Sequence, residues 1–247
     1  MTEGDPNRSA DGRLAVPETF DAHADAAGRP DVRATDWLRE RAEPDWTAAT
    51  DGRFVRELGS GAIDDEVFRR YLVQDYAFVG ELASLIGYAI GDAPTIESKR
   101  RLTDFLGTLT SEEDDYFERS FDALGVPETD RSDPELTEVT RAFGDLLGRA
   151  AREGGYAESL AAFVPAEWVY LTWARNVEER RNPSKFYLAE WVELHASDEF
   201  ASFVGWLRAE LDREVNALSA RRQRRIDRLF GRTVELEAAF FEVAYEG

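Results

Sequence analysis

A long helix is predicted by residues 64–90, which read DDEVFRRYLVQDYAFVGELASLIGYAI. Asp64 and Asp65 can cap its first turn, and residues 91–94, GDAP, contain the Gly and Pro that stop a helix. Its large apolar residues share one helical face because they recur three or four positions apart; they are Phe68, Tyr71, Leu72, Phe78, Val79, Leu82, Leu85 and Ile86. The stretch is typical of a long helix in a helical bundle.

Helical periodicity continues on both sides of this stretch, from Asp36 onward. Upstream, Thr35 and Asp36 can cap a helix that carries Trp37 and Trp46, and residues 58–61, LGSG, form a turn. No strand-like alternation and no internal repeat is present. The sequence therefore predicts an all-α fold of about seven long helices, of which those beyond residue 94 are 96–124, 134–152, 156–179, 184–195, 197–218 and 220–245.

The first 30 residues differ from the rest of the chain. They are rich in Asp, Gly, Ala and Pro and have little hydrophobic periodicity, which is typical of a disordered segment. The sequence therefore predicts a disordered leader over residues 1–30 and a single all-α domain over residues 31–247.

The charge balance is strongly acidic. The 247-residue chain has 50 Asp and Glu against 30 Lys and Arg, a formal net charge of −20. This charge repels phosphate backbones, so it argues against nucleic-acid binding. Only Lys99 and Lys185 are lysines, a pattern typical of a halophilic archaeal protein whose surface charges are screened by salt. A GC-rich genome, which favours Arg, Ala and Gly codons, explains the same composition and is compatible with that interpretation.

The absence of cysteine excludes several kinds of chemistry. With no Cys in the sequence, disulfides, thiolate metal sites and Cys nucleophiles are all ruled out.

No apolar run approaches the ~20 residues that a membrane helix needs, and no basic segment followed by an apolar one opens the chain as in a secretory signal. We therefore expect a cytoplasmic protein without a membrane partner.

Three carboxylates lie in apolar helical stripes. Asp75, Glu167 and Glu237 each have large apolar residues three and four positions away, so each shares a helix face with them. An unpaired ionised carboxylate costs several kcal/mol when buried, and buried acids are often functional because burial tunes their pKa. Among 50 acids some fall beside apolar residues by chance, and Glu158 is expected to be a structural acid at a helix start.

A metal or haem centre is not predicted. Di-metal sites in helical bundles use a Glu-x-x-His pair, but the residue three positions before His195 is Val192. Because His23 lies in the predicted leader, His195 is the remaining imidazole ligand, and no axial haem ligand is well placed. Carboxylates among aromatic residues suit instead a flat, amine-bearing heterocycle, which the rings stack on and the acids bind.

Four segments resemble the TenA family (thiaminase II, aminopyrimidine aminohydrolase), in order and at plausible spacing over about residues 36–246. They are FVRELGSG at 54–61 followed by FRRYLVQDYAF at 68–78, ESLAAFVPAEWVY at 158–170, HASDEF at 195–200 and EAAFFEVAY at 237–245. The resemblance implies a haem-oxygenase-like helical bundle without haem or another cofactor, often assembled as a homotetramer. It also implies salvage of the thiamin pyrimidine. In that reaction 4-amino-5-aminomethyl-2-methylpyrimidine, or a formylamino precursor, loses its amino group as ammonia and gives the hydroxymethylpyrimidine.

The resemblance assigns roles to single residues. Asp75 falls on the aspartate that holds the pyrimidine's amino group and ring nitrogen, and Glu237 falls on a glutamate that moves protons. The nucleophilic Cys of the better-known branch would fall at Ala166, and Glu167 follows it. This pattern resembles the Cys-lacking branch, which is associated with aminopyrimidine rather than thiamin.

Four further positions are predicted to bind the substrate. Tyr170 falls on a pocket tyrosine of the family, while Phe143 and His195 stand where the family has other pocket tyrosines. Phe78, Phe143 and Tyr170 are predicted to stack on the ring. His195 is predicted either to contact a ring nitrogen or to be a satisfied core imidazole.

Without a thiol, the hypothesis is direct hydrolysis in which Glu167 and Glu237 share the proton transfers as the catalytic pair. One would deprotonate water while the other holds or delivers the proton of the leaving amine. Two alternatives stay open. The first is a non-catalytic pyrimidine-binding or partner protein on the same fold. The second is a metal-dependent oxidase of the haem-oxygenase-like superfamily, against which the scarcity of His argues.

Overall fold

The computed structural model describes residues 16–29, 31–178 and 183–246, which form helices and no strand. The predicted all-α, haem-oxygenase-like class is confirmed by this content and by the solved structures compared below. The thirteen helices of these residues are α1 (Phe20–Ala27), α2 (Ala34–Arg41), α3 (Asp45–Asp51), α4 (Arg53–Ser60), α5 (Asp65–Asp92), α6 (Ile96–Leu109), α7 (Glu112–Leu124), α8 (Glu128–Ser132), α9 (Glu138–Glu153), α10 (Tyr156–Glu178), α11 (Phe186–Ala196), α12 (Asp198–Asn216) and α13 (Ala220–Val243).

The bundle is built around α10, which packs against α5, α9, α11, α12 and α13. Nearly every residue from Tyr156 to Tyr170 is buried, as expected of a helix that is apolar on all sides. Its one buried acid near the start, Glu158, forms an ion pair with Arg222 of α13 at 2.7 Å between Oε2 and Nη2. This confirms Glu158 as a structural acid. None of the helices in the described residues has both the length and the apolar character to cross a bilayer.

The long helix α5 follows its prediction closely. The Asp64 side chain accepts a hydrogen bond from the backbone N–H of Glu66 at 2.9 Å, which caps the first turn. The predicted stripe faces the core, and Val79 is its one half-buried member. Asp75 lies within this stripe and is buried with it. The sequence pattern therefore places a carboxylate inside the bundle.

The predicted helix 96–124 is divided into α6 and α7, so the single-helix prediction is wrong. The Thr110 hydroxyl donates to the carbonyl of Leu106 at 2.8 Å, and the Ser111 hydroxyl donates to that of Gly107 at 2.6 Å. The carbonyl of Gly107, which the backbone N–H of Ser111 would use in a continuous helix, is thereby satisfied by the hydroxyl, while that N–H turns to Thr108 at 3.2 Å. The break turns the chain and places the start of α7 at the cavity described below.

The N-terminal part of the chain also differs from its prediction. Within residues 16–29, α1 buries Phe20 against Trp37, with ring centroids 6.1 Å apart, and the Trp37 indole N–H donates to the carbonyl of Pro17 at 2.9 Å. The predicted disorder therefore does not hold for these residues, because their apolar side chains have partners in α2. Residues 1–15 lie outside the described residues.

A distant carboxylate caps α2, in place of the predicted Thr35–Asp36 cap. The helix begins at Ala34, and the backbone N–H of Thr35 donates to Asp212 Oδ1 at 2.7 Å. Asp212 Oδ2 accepts from Arg33 Nε, also at 2.7 Å. The side chain that holds the start of α2 thus comes from α12.

Candidate active site

A cavity of about 880 Å³ opens between α5, α6, α7, α10, α11 and α12, a size typical of small-molecule sites. Its buried wall carries Asp75 and Phe78 from α5, Glu167 and Tyr170 from α10, and His195 from α11. The structure therefore brings together five of the seven residues predicted from the sequence. The more exposed wall carries aromatic and acidic side chains and, among the described residues, a single lysine or arginine; it includes Phe105, Phe200, Phe203, Asp104, Glu193, Glu199 and Arg101.

Asp75 is held by a chain of two tyrosine hydroxyls. Tyr170 donates to Asp75 Oδ1 at 3.1 Å, and the hydroxyl oxygens of Tyr71 and Tyr170 lie 2.8 Å apart. Burial raises the pKa of Asp75 to about 7, although the two hydroxyls favour its ionised form. Tyr71 was interpreted from the sequence only as a member of the apolar stripe. Its position four residues before Asp75 was the available signal of its second role.

Glu167 faces the cavity from the middle of α10. It is 7% exposed, and its carboxylate has no hydrogen-bond partner among the described residues. Burial, with the nearby negative charge of Asp75, raises the pKa of Glu167 to about 8. The preceding residue, Ala166, also lines the cavity. The position where a Cys nucleophile would stand is thus a methyl group beside an acid.

Glu237 lies on the closed side of this cluster. It is 1% exposed and does not line the cavity, and its Oε1 has no hydrogen-bond partner in the part of the chain that the structure describes. Burial and the charges of Asp75 and Glu167 raise the pKa of Glu237 well above its usual range. The structure therefore places Glu237 within electrostatic reach of the other two acids but behind the cavity wall.

A fourth acid, Glu113, was missed by the sequence analysis. It is half-buried in the first turn of α7 and lines the cavity. Burial and the charges of Glu167 and Asp75 raise the pKa of Glu113 well above its usual range. It occurs in an acidic run, which suggests a solvated surface, but Tyr116 and Phe117 at the positions three and four residues later are fully buried. That pair was the signal that could have found it.

The aromatic residues form two layers. Phe78 lines the cavity, and Phe143 packs behind it with ring centroids 4.6 Å apart. Phe143 is 1% exposed and also contacts Phe240. The structure therefore places Phe143 as a support for Phe78 rather than on the cavity surface, because α9 packs one layer further from the cavity than α5.

His195 is a buried imidazole with one ring nitrogen bonded to the backbone, and it also lines the cavity. Its Nδ1 lies 2.9 Å from the carbonyl oxygen of Trp191. Because a carbonyl only accepts, Nδ1 carries the hydrogen and Nε2 is left as an acceptor. Burial lowers the pKa of His195 to about 4, although the bond to Trp191 opposes this shift, so the imidazole is neutral at physiological pH. The ring lines the cavity and contacts Tyr170, with centroids 4.9 Å apart.

Together the four carboxylates create a region of negative potential without a partner cation. Among the described residues, no ion pair joins Asp75, Glu113, Glu167 or Glu237 to a Lys, Arg or His, and no group of three His, Cys, Asp or Glu is arranged to hold a metal ion. Such a site favours a cationic ligand, and the adjoining rings favour a flat one. It can also hold and move protons near neutral pH, because Asp75 and Glu167 titrate there.

Two curated proteins are similar to this chain over most of its length. An aminopyrimidine aminohydrolase of Halalkalibacterium halodurans is 26% identical over 209 residues, 84% of this chain and 93% of that protein. An aminopyrimidine aminohydrolase of Helicobacter pylori is 22% identical over 216 residues, 87% of this chain and all of that protein (100%).

Two solved structures superpose on most of this chain. A TenA homologue from P. horikoshii superposes with a TM-score of 0.78 at 25% identity, covering 87% of this chain and 99% of that one. A TenA homologue from Pyrococcus furiosus has a TM-score of 0.78 at 21% identity, covering 86% of this chain and all (100%) of that one. A sequence model of one family matches residues 39–247. The chain belongs to the TENA/THI-4/PQQC family.

Proposed function

We propose that this protein is an aminopyrimidine aminohydrolase of thiamin salvage. It replaces the amino group on the 5-methylene carbon of 4-amino-5-aminomethyl-2-methylpyrimidine by a hydroxyl group, giving the hydroxymethylpyrimidine and ammonia. The observation that carries the proposal is the cluster of buried acids, which has no partner cation within residues 16–29, 31–178 and 183–246, beside aromatic side chains of the cavity. The curated relatives named aminopyrimidine aminohydrolase support it.

The substrate's charge fits the cluster. A primary alkyl amine is protonated at neutral pH, so the aminomethyl group enters as an ammonium. Four acids that repel one another gain from a cation placed among them, and their pKa values fall when it binds. The cation thus converts protonated acids to the carboxylates that the reaction needs.

The ring is held at the Asp75 end of the cavity. A carboxyl group whose pKa is near 7 can accept from the ring's 4-amino group through one oxygen and, when protonated, donate to a ring nitrogen through the other. The bond from Tyr170 orients it. Phe78 and Tyr170 stack on the ring, Phe143 keeps Phe78 in place, and His195 offers Nε2 to a ring amino hydrogen.

Hydrolysis then requires one proton transfer to a carboxylate. Water attacks the exocyclic methylene carbon, the C–O bond forms, and the C–N bond breaks with its electron pair leaving on nitrogen. Glu167, which faces the cavity, takes the proton of the attacking water. That proton ends on the released ammonia, so R–CH₂–NH₃⁺ and H₂O become R–CH₂–OH and NH₄⁺. Glu237, buried behind, shares that proton with Glu167 before it passes to nitrogen, and Glu167 is then a carboxylate again.

The test measures two products side by side in molar KCl: ammonia from the aminomethylpyrimidine, and free thiazole from thiamin, in which the thiazole nitrogen is the leaving group. We expect ammonia from the aminopyrimidine and no thiazole from thiamin, because Ala166 stands where a Cys nucleophile would be. Folded protein that releases no ammonia from the aminomethylpyrimidine would overturn the proposal. Thermal stabilisation by pyrimidines without ammonia release would instead identify a binding protein.

Finer assignments accompany this proposal. The absence of Cys and the presence of Glu167 support membership of the Cys-lacking branch. The net charge of −20 with two lysines supports a halophilic archaeal source, a cytoplasmic setting and no nucleic-acid partner. The family resemblance supports a homotetramer. Sedimentation in low and molar KCl tests the assembly and the salt requirement together.

A further inference from the structure

Residues 112–115 at the start of α7 are four consecutive acids, and the side chains of the last three have different surroundings. Asp114 accepts from the Tyr76 hydroxyl at 2.7 Å, and Asp115 accepts from Arg119 Nε at 3.2 Å. Glu113 has neither a hydrogen bond nor an ion pair within the described parts of the chain, and of the three it alone lines the cavity. Its neighbours are used in the packing of α7, whereas Glu113 is available to a ligand.

Three of the four acids, Glu237, Glu167 and Glu113, are arranged in order from the closed to the open side of the cavity. Glu237 is 1% exposed and lies behind the wall, Glu167 is 7% exposed and forms the wall, and Glu113 is half-buried and faces the opening. Glu167 and Asp75 lie near enough to Glu113 for their charges to raise its pKa, and the same two acids raise the pKa of Glu237. Glu167 therefore neighbours both Glu237 and Glu113.

The order of Glu237, Glu167 and Glu113 limits where the substrate's ammonium group can lie. With the ring at Asp75 and the methylene carbon at Glu167, the amine projects either towards buried Glu237 or towards Glu113. The buried side has no cavity volume to receive it, because Glu237 is not on the cavity surface. The open side has cavity volume, and the Glu113 carboxylate there has no hydrogen-bond or ion-pair partner among the residues described. Unpartnered Glu167, more than nine-tenths buried, marks the same spot as a ligand position.

We infer that Glu113 is a further substrate-contacting residue, whose carboxylate binds the substrate's ammonium group on the open side of the acid cluster and receives the departing ammonium ion. This inference rests on the proposed function, and it adds specificity for the charged amine over the hydroxymethyl product. No bond to Glu113 forms or breaks. Its negative charge favours the cation before reaction and guides the leaving NH₄⁺ towards the opening.

The experiment compares E113Q with D115N, a matched control on the same helix that removes the same charge outside the cavity. Binding of the aminomethylpyrimidine and of the hydroxymethylpyrimidine is measured by calorimetry, and ammonia release is measured on the same preparations. For E113Q we expect the Kd and KM of the aminomethylpyrimidine to rise at least ~10-fold, since a hydrogen bond to a charged group is lost. The Kd of the uncharged hydroxymethylpyrimidine should not change, and D115N should match the wild type.

Two outcomes separate the inference from the function on which it rests. If wild-type protein releases ammonia and E113Q keeps its affinity for the amine, the role of Glu113 is wrong while the function stands. If wild-type protein releases none, the function is wrong, and the binding arm still tests Glu113. E113D, which keeps the charge, should recover part of the lost affinity; equal loss in E113D and E113Q for both ligands would indicate a merely structural role and would overturn the inference.

Discussion

Two buried acids on the same helix, α10, have opposite surroundings. Glu158 in the first turn is 2% exposed and forms ion pairs with Arg222 at 2.7 Å and Arg225 at 3.9 Å. Glu167, nine residues later, is 7% exposed and has no partner among the residues described. Burial is therefore common to both, and the presence of a counter-charge distinguishes them. An acid that serves stability has an arginine, whereas an acid kept for a ligand is left without one.

The largest expected effect is on catalysis, and it follows from changing Glu237, one of the acids without a counter-charge. E237Q keeps the size of the side chain but cannot exchange a proton, so turnover of the aminopyrimidine should fall at least ~100-fold, as for a lost general acid–base group. Ammonia release under saturating substrate measures it. Turnover near the wild-type level would remove Glu237 from the mechanism.

E158Q, which changes the acid that is paired with arginines, should lower stability rather than turnover. Removal of the charge leaves two arginines without their partner, and we expect a loss of about 2 kcal/mol in the free energy of unfolding, reduced in molar salt because both arginines are partly exposed. Denaturant titration measures the loss. Ammonia release per folded molecule should be unchanged, and an equal fall in turnover would mean that the two acids are not functionally distinct.

The unpaired acids should also make stability depend on pH. Asp75 and Glu167 stay protonated in the folded protein up to about pH 7 and pH 8, respectively. In the unfolded chain both ionise at a pH of about 4. The folded state binds more protons between these values, so the free energy of unfolding falls as the pH rises from ~4 to ~8. At pH 8, E167Q should therefore melt about 3 °C above the wild type, equivalent to about 1 kcal/mol.

At pH 4 the E167Q variant and the wild type should melt together, because Glu167 is then largely protonated in both states. His195 acts in the opposite direction below about pH 6.5, since its depressed pKa keeps it neutral in the folded protein. The difference between variant and wild type cancels this contribution. Calorimetric scans at the two pH values measure it, and an E167Q variant that is less stable at pH 8 would contradict the account.

The smallest effect is expected behind the cavity wall. F143L removes part of the ring that supports Phe78 without touching the cavity, so we expect a loss of about 1 kcal/mol in stability and a rise in KM of no more than ~3-fold, with kcat nearly unchanged. Steady-state kinetics on F143L and F78L give the contrast. A larger effect on KM for F143L than for F78L would place Phe143 in contact with the substrate.

The sequence predicts what local chemistry determines. The capping residue Asp64 and the stop at 91–94 bound α5 to within two residues, and the apolar stripe brings Asp75 inside. The division between α6 and α7 escaped prediction because the Ser111 hydroxyl takes the place of its own backbone N–H at the Gly107 carbonyl without altering the apolar pattern. The cap on α2 comes from Asp212, 177 residues away from Thr35, and no local pattern contains it.

The candidate site shows the same limit. Periodicity identifies a face of a helix but not its depth, so it could not place Glu237 and Phe143 behind the wall rather than on it. It also could not distinguish Glu113 from its paired neighbours in an acidic run. The contacts that decide these cases lie between helices distant in sequence.

The acid cluster also makes the cavity a store of hydrogen ions. At pH 7.5 the carboxyl groups of Asp75 and Glu167, with pKa values of about 7 and about 8, are each partly protonated, and a cationic ligand displaces those protons into the medium. The heat of binding therefore includes the ionisation enthalpy of whichever buffer takes them up. Titrations in phosphate and in Tris differ by that amount for the amine and agree for an uncharged analogue, which counts the displaced protons without any chemical turnover.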